Sequence, residues 1–164
     1  MSYESKTTVF MSRNMQNSDL FLQKCICLYF GDDSLCPQIV REDGKPLVKN
    51  LPVFVSLSHS GDCIVVAVSN SAVGVDVERV REVDYQSIAK RFFERQPSSL
   101  EEFFEMWTAK EAIKKATNIS LFKALKSADY TNIRYIDAIE GYKLALYGEF
   151  SVFSFQFSVV MVDK

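Results

Sequence analysis

The segment Val73-Gly74-Val75-Asp76-Val77-Glu78 alternates strictly between valine and other side chains. Side chains on a strand point to opposite faces in turn, so the three valines share one face while Gly74, Asp76 and Glu78 share the other. Two carboxylates thus stand on one face, attached about 7 Å apart along the strand. In a partly screened site they repel by roughly 2 kcal/mol. A bound cation would turn that repulsion into a ligand set. A strand end facing water would simply hydrate it, and the pair by itself leaves both readings open.

Around this strand the sequence predicts an α+β fold, with antiparallel strands packed with helices, in one domain over residues 1–164. Val53 to Leu57 and Cys63 to Ser69 are short valine-rich runs separated by Ser-Gly-Asp and Asn-Ser-Ala turns, which makes three neighbouring strands with Val73 to Glu78. Ser18 to Phe30 has Leu20, Phe21, Lys24, Cys25, Leu28 and Tyr29 at helical spacing and stops at Gly31. Residues 31 to 52, with Gly31, Pro37, Asp43-Gly44-Lys45-Pro46 and Pro52, read as a connector. Asp84 to Phe93 reads as a helix. Ser98 to Thr117 reads as a longer one, opened by the capping box Ser98-x-x-Glu101 and striped by Leu100, Phe103, Phe104, Trp107 and Ile113. Strands return at Ile133 to Ile136, Tyr142 to Tyr147 and Val152 to Val162, the last with Val152, Ser154, Gln156 and Ser158 alternating against Phe153, Phe155, Phe157 and Val159.

Two further groups of residues carry chemistry. On the long helix, Trp107, Glu111 and Lys115 are spaced by four and line one face, with Lys110 on its flank. An acid with cations beside it suits a metal–phosphate site, although a solvated Glu111–Lys115 surface pair satisfies the same spacing. Ser56-Leu57-Ser58-His59-Ser60-Gly61 ends a strand and holds the single histidine of the chain. Hydroxyl and backbone donors beside an imidazole are phosphate-friendly, and a lone histidine is otherwise a hydrogen-bonded surface or core group.

Composition limits the partners. Nineteen Lys and Arg against twenty-one Asp and Glu give a net charge of −2, so there is no overall basic field for a nucleic acid. Apolar runs such as Cys63 to Val68 are far shorter than the roughly 20 residues of a membrane span. The first residues, Met1 to Asn17, are polar and lack the apolar core of a secretory signal, and a cytoplasmic protein is expected. Cys25, Cys27, Cys36 and Cys63 show neither C-x-x-C spacing nor a paired histidine and read as reduced, packed thiols.

Taken in order, S-H-S-G, then G-V-D-V-E, then W-T-x-K-E-A-x-x-K resembles the phosphopantetheinyl transferases, in particular the pseudo-dimeric type that activates peptide synthetases. Gly44-Lys45-Pro46 and Arg91-Phe92-Phe93 look like the same family, so the motifs span about residues 41 to 117. The resemblance implies that family's fold with a shortened first half, with pseudo-halves at 1–72 and 73–164. It implies transfer of 4'-phosphopantetheine from coenzyme A to a serine of an acyl, peptidyl or aryl carrier protein, with Mg2+ as cofactor. Asp76, Glu78 and Glu111 would hold the magnesium, whose preference is for oxygen ligands. His59, Lys110 and Lys115 would contact phosphates, and Lys45 would lie near the nucleotide. Glu111 would be the base for the incoming hydroxyl, with Lys115 beside it.

The first segment offers Lys6, Arg13, Lys24 and Arg41 as basic residues for the coenzyme's 3'-phosphate. After Lys115 the family commonly has a glycine, where this chain has Ala116-Thr117-Asn118, and Asn118 can take the left-handed conformation that ends a helix. Two other readings use the same residues: a magnesium-dependent hydrolase that cleaves the coenzyme A pyrophosphate with water, and a relative that binds coenzyme A or a carrier protein without turnover.

Overall fold

The computed structural model describes residues 5–13, 17–126, 129–148 and 155–162. Its elements run in the order β1 (Ser5–Arg13), α1 (Ser18–Phe30), β2 (Ile39–Glu42), β3 (Lys45–Val48), β4 (Phe54–Ser60), β5 (Cys63–Ser69), β6 (Val73–Arg79), α2 (Tyr85–Phe92), α3 (Leu100–Thr117), α4 (Leu121–Leu125), β7 (Ile133–Tyr135), β8 (Tyr142–Gly148) and β9 (Phe155–Met161). The fold is α+β. No helix among the described residues is long and apolar enough to cross a membrane.

Two sheets form the body. The first has strand order β4-β5-β1-β9, and the second β6-β8-β7. As the alternation requires, Val73, Val75 and Val77 point inward, meeting Val9, Met11, Val65, Ala67, Leu144 and Leu146 between the sheets. The outer face of the first sheet is covered by α1 through Phe21, Leu22, Cys25 and Ile26, which pack on Phe10, Ile64, Val66 and Val68. The outer face of the second sheet is covered by the C-terminal half of α3.

Several expectations are corrected here. Pairing is antiparallel except that β9 runs parallel to β1, so the last strand returns to complete the sheet built by the first part of the chain. β1 itself has no sequence signal beyond Val9-Phe10-Met11, and it becomes a strand because β5 and β9 supply ladder partners on both sides. The connector contains a hairpin: Asp43 and Gly44 both have positive φ (50° and 79°), the geometry of a two-residue hairpin turn, and β2 pairs with β3 across it. Of the alternation expected over Val152 to Val162, residues 152–154 and the side chains of 155–157 lie outside the described residues. Ser158 and Val159 are both exposed.

The α1 boundaries match expectation, but Asn17 caps the helix and the buried stripe is rotated. Leu20 and Leu28 are 60% and 44% exposed while Leu22 and Ile26 are buried. A helix this apolar does not declare its inner face by periodicity. The long helix starts two residues later than expected. Ser99, not Ser98, accepts the Glu102 N–H (3.1 Å), and the Glu102 carboxylate accepts from the Ser98 N–H (2.5 Å). The paired Ser98-Ser99 and Glu101-Glu102 allow two capping boxes one residue apart; the cap that forms uses Ser99, while the Glu102 carboxylate reaches back to Ser98.

The apolar stripe of α3 also divides in two. Phe103 and Phe104 meet Phe93 and Leu125 near α2 and α4, whereas Ala109, Ala112 and Ile113 lie on the second sheet. Small residues there let helix and strand backbones approach closely. The helix ends at Asn118, which takes the left-handed conformation (φ 58°, ψ 15°) as expected.

Candidate functional site

Strands β4 and β6 belong to different sheets, and three serines join them. The hydroxyls of Ser56, Ser58 and Ser60 accept the backbone N–H groups of Val75 (3.0 Å), Val77 (3.2 Å) and Arg79 (3.0 Å). A hydroxyl can donate while it accepts. Ser58 donates to Asp76 Oδ1 (2.8 Å) and Ser60 to Glu78 Oε2 (3.2 Å). The serines flanking His59 are therefore turned inward, where they fix the two acids. The sequence places hydroxyls near the imidazole, and the period of two sends them to the other face of β4.

Asp76 is the most constrained of these groups. It is 5% exposed, and its Oδ1 accepts from both Ser58 and the Lys115 ammonium (2.7 Å). Lys115 also donates to the Val75 carbonyl (3.1 Å). Asp76 Oδ2 is buried with no hydrogen-bond partner among the described residues. Burial pushes the Asp76 carboxyl up to about 6, against the pull of Lys115 and Ser58, and the negative charge of Glu111 adds to the rise. A buried carboxylate oxygen without a partner is costly unless something else meets it.

The other two acids are positioned less tightly. Glu78 accepts from Arg81 (2.9 Å), whose guanidinium lies over the Phe104 ring. Glu111 is largely shielded and faces Lys114 at 3.7 Å. The Glu111–Lys115 pair allowed by helical spacing does not form, because Lys115 turns to Asp76. Among the described residues, no three acidic, histidine or cysteine side chains converge as a ready metal site. The donor chemistry nevertheless fits a hard cation: an orphaned buried carboxylate oxygen, with Glu111 close enough to perturb it.

Beside Asp76 opens a cleft of about 720 Å³ between the β2–β3 hairpin, β4 and the C-terminal end of α3. Arg41, Lys45, His59, Lys114, Lys115 and Asn118 line it, together with the acids Glu42 and Asp43. Lys45 reaches across to the Asn118 side-chain oxygen (2.9 Å), so hairpin and helix end are tied at the rim. Partial burial lowers the pKa of the Lys45 ammonium. His59 is exposed on β4. Of the four basic residues in the first segment, Arg41 alone lines this cleft, held by Asp19 (2.5 Å) and by the Gly44 carbonyl (3.0 Å).

Lys110 does not join this group. It is fully buried on another side of α3, bonded to Glu94 (2.5 Å) and lying over the rings of Phe93 and Tyr130. Tyr130 donates to the other Glu94 oxygen. One residue along a helix is a rotation of about 100°, which turns Lys110 toward the α2 end while Glu111 lies on the side of Asp76. The expected phosphate contact of Lys110 is replaced by a structural ion pair. Glu94 and Lys114 are the residues the sequence reading misses. Lys114 differs from Lys115 by nothing a motif records, and Glu94 has no periodic signal in the loop after α2.

Thus the fold brings Lys45, His59 and Lys115 to one cleft. Asp76 sits behind Lys115, Glu111 lies near Asp76, Glu78 is one strand repeat away and Lys110 is elsewhere. Residues 72–159 match the family model described as the 4'-phosphopantetheinyl transferase superfamily. Among curated proteins, the chain is 40% identical over 104 residues to a 4'-phosphopantetheinyl transferase of Bacillus pumilus, covering 55% of this chain and 44% of that protein. It is 36% identical over 97 residues to one of Aneurinibacillus migulanus (53% and 40%) and 38% identical over 93 residues to the 4'-phosphopantetheinyl transferase AcpT of Salmonella typhimurium (48% of each). In each case the match spans less than half of the relative's length.

Proposed function

Because the chain belongs to the 4'-phosphopantetheinyl transferase superfamily, we propose that it transfers the phosphopantetheine group of coenzyme A to a serine hydroxyl of an acyl, peptidyl or aryl carrier protein. The observation that carries this reading is the basic cleft backed by a buried, half-partnered carboxylate. A pyrophosphate needs cations in front of it, and a serine hydroxyl needs a base. Both group types meet at this wall of the fold.

Lys45, His59 and Lys115 hold the phosphates of coenzyme A, and Arg41 extends the basic lining toward the rim. Asp76, Glu78 and Glu111 would hold magnesium, which supplies charge neutralisation of the pyrophosphate when bound. Glu111 takes the proton of the incoming serine hydroxyl. The serine oxygen then bonds to phosphorus as the pyrophosphate P–O bond breaks, and adenosine 3',5'-bisphosphate leaves. We place the reaction in the cytoplasm, a setting in keeping with four free cysteines.

The test is the intact mass of an apo carrier protein incubated with this chain, coenzyme A and magnesium. A gain of one phosphopantetheine group supports transfer. Free phosphopantetheine released without carrier modification would instead identify a hydrolase, and coenzyme A binding without turnover a non-catalytic relative.

A further inference from the structure

We propose that Lys115 is a displaceable internal counter-ion: it holds Asp76 while no metal is bound, and a divalent cation arriving at Asp76 frees its ammonium to meet an anion in the adjoining cleft. This rests on the reading of the site given above and adds its regulation.

The geometry makes the exchange local. Lys115 Nζ is 2.7 Å from Asp76 Oδ1 and 3.1 Å from the Val75 carbonyl, so its present bonds are all to β6. The same side chain lines the cleft and is 25% exposed, whereas Asp76 is buried. The lysine can leave toward solvent, and the carboxylate stays. Ser58 holds Asp76 Oδ1 independently and leaves Oδ2 as the unpartnered oxygen. Two cations would then be competing for one carboxylate, with Glu111 near enough to favour the divalent one. Glu78 is matched in the same manner by Arg81.

The consequence is an order of events. Without metal, the ammonium is spent on Asp76 and the cleft lacks one of its cations. Once metal takes Asp76, the freed ammonium and the metal both favour an anion, so each ligand strengthens the other as linkage demands. Lys114, which bonds Glu111 only at 3.7 Å, has no such reserve.

Two measurements test this on the intact chain. Mn2+ is titrated alone, followed by loss of the free-ion signal in electron paramagnetic resonance. Lys115→Met should bind it about tenfold more tightly than wild type while binding inorganic pyrophosphate more weakly. Equal or weaker Mn2+ binding by a folded Lys115→Met protein would overturn the proposal. Should that variant fail to fold, the wild type supplies the answer through reductive methylation read by peptide mass. Labelling of Lys115 should rise severalfold with Mg2+, with the exposed Lys90 on α2 as internal reference, and an unchanged Lys115 rate at saturating metal would overturn it. Carrier modification with an unresponsive Lys115 refutes the counter-ion role alone. Absence of carrier modification together with absence of metal binding refutes the parent reading.

Discussion

A Cβ built on Gly74 would lie 1.9 Å from the carbonyl oxygen of Ala112. The glycine is therefore where strand β6 admits helix α3, and this contact sets how near Lys115 and Glu111 come to Asp76. Its neighbours on the helix side, Ala109 and Ala112, are equally small and buried.

Gly74→Ala is the most informative single methyl group in the chain. Because the clash is with backbone, a side-chain rotation does not relieve it, and α3 must move outward. Overpacking of this kind costs about 1–3 kcal/mol, occasionally more. Urea unfolding should show that loss, and transfer in the residual folded protein should fall as well, because the helix carries both Glu111 and Lys115. Wild-type transfer at wild-type stability would mean the close approach is not needed.

Glu111→Gln should keep the fold and lower transfer by orders of magnitude. The side chain has only a 3.7 Å contact with Lys114 to lose, a loose i,i+3 pair worth a few tenths of a kcal/mol. Stability measured by thermal unfolding should thus barely change while the carrier-mass assay loses turnover.

Lys110→Met separates structural from functional lysines. Breaking its pair with Glu94 should lower stability by about 3 kcal/mol, the low end for a buried pair because Glu94 keeps some solvent contact. Binding of coenzyme A by the remaining folded protein should be unchanged. His59→Ala is the converse: His59 is exposed, so stability should move by no more than about 0.5 kcal/mol. The apparent KM for coenzyme A should rise.

The Glu102 contacts at the start of α3 make stability depend on acid pH. Hydrogen bonds from the Ser98 hydroxyl and N–H, with Arg95 alongside, hold the Glu102 carboxyl down to about 2 from its ordinary 4.5. A depressed folded-state pKa contributes stability that is complete above about 4.5 and is lost as pH falls toward about 2. Glu102→Gln should therefore be less stable than wild type at neutral pH, with the gap closing over that window. A gap independent of pH between about 4.5 and 2 would place its origin elsewhere.

By itself the sequence determines the parts of this protein that depend on local period and cap chemistry. The valines of β6 go inward, Asp76 and Glu78 share the other face, Gly31 and Asn118 end their helices in left-handed conformations, and the order of motifs points to the family. Such features follow from the two-residue repeat of a strand and from backbone sterics at single residues, which need no distant partner.

What the tertiary structure decides is which of several local possibilities finds a partner. β1 is a strand because β5 and β9 flank it, and β9 is parallel because the chain returns to the first sheet. Lys115 could pair with Glu111 on its own helix and turns to Asp76 instead, since a buried carboxylate gains more from an ammonium than a partly hydrated one does. Lys110, one residue before Glu111 in the motif, meets Glu94 from the loop after α2 and the Tyr130 ring from the segment before β7, two positions no pattern in the sequence encodes. The reason is common to all of these: side-chain burial and counter-ion choice are set by contacts between segments far apart in the chain, and only the folded arrangement of the sheets and α3 fixes them.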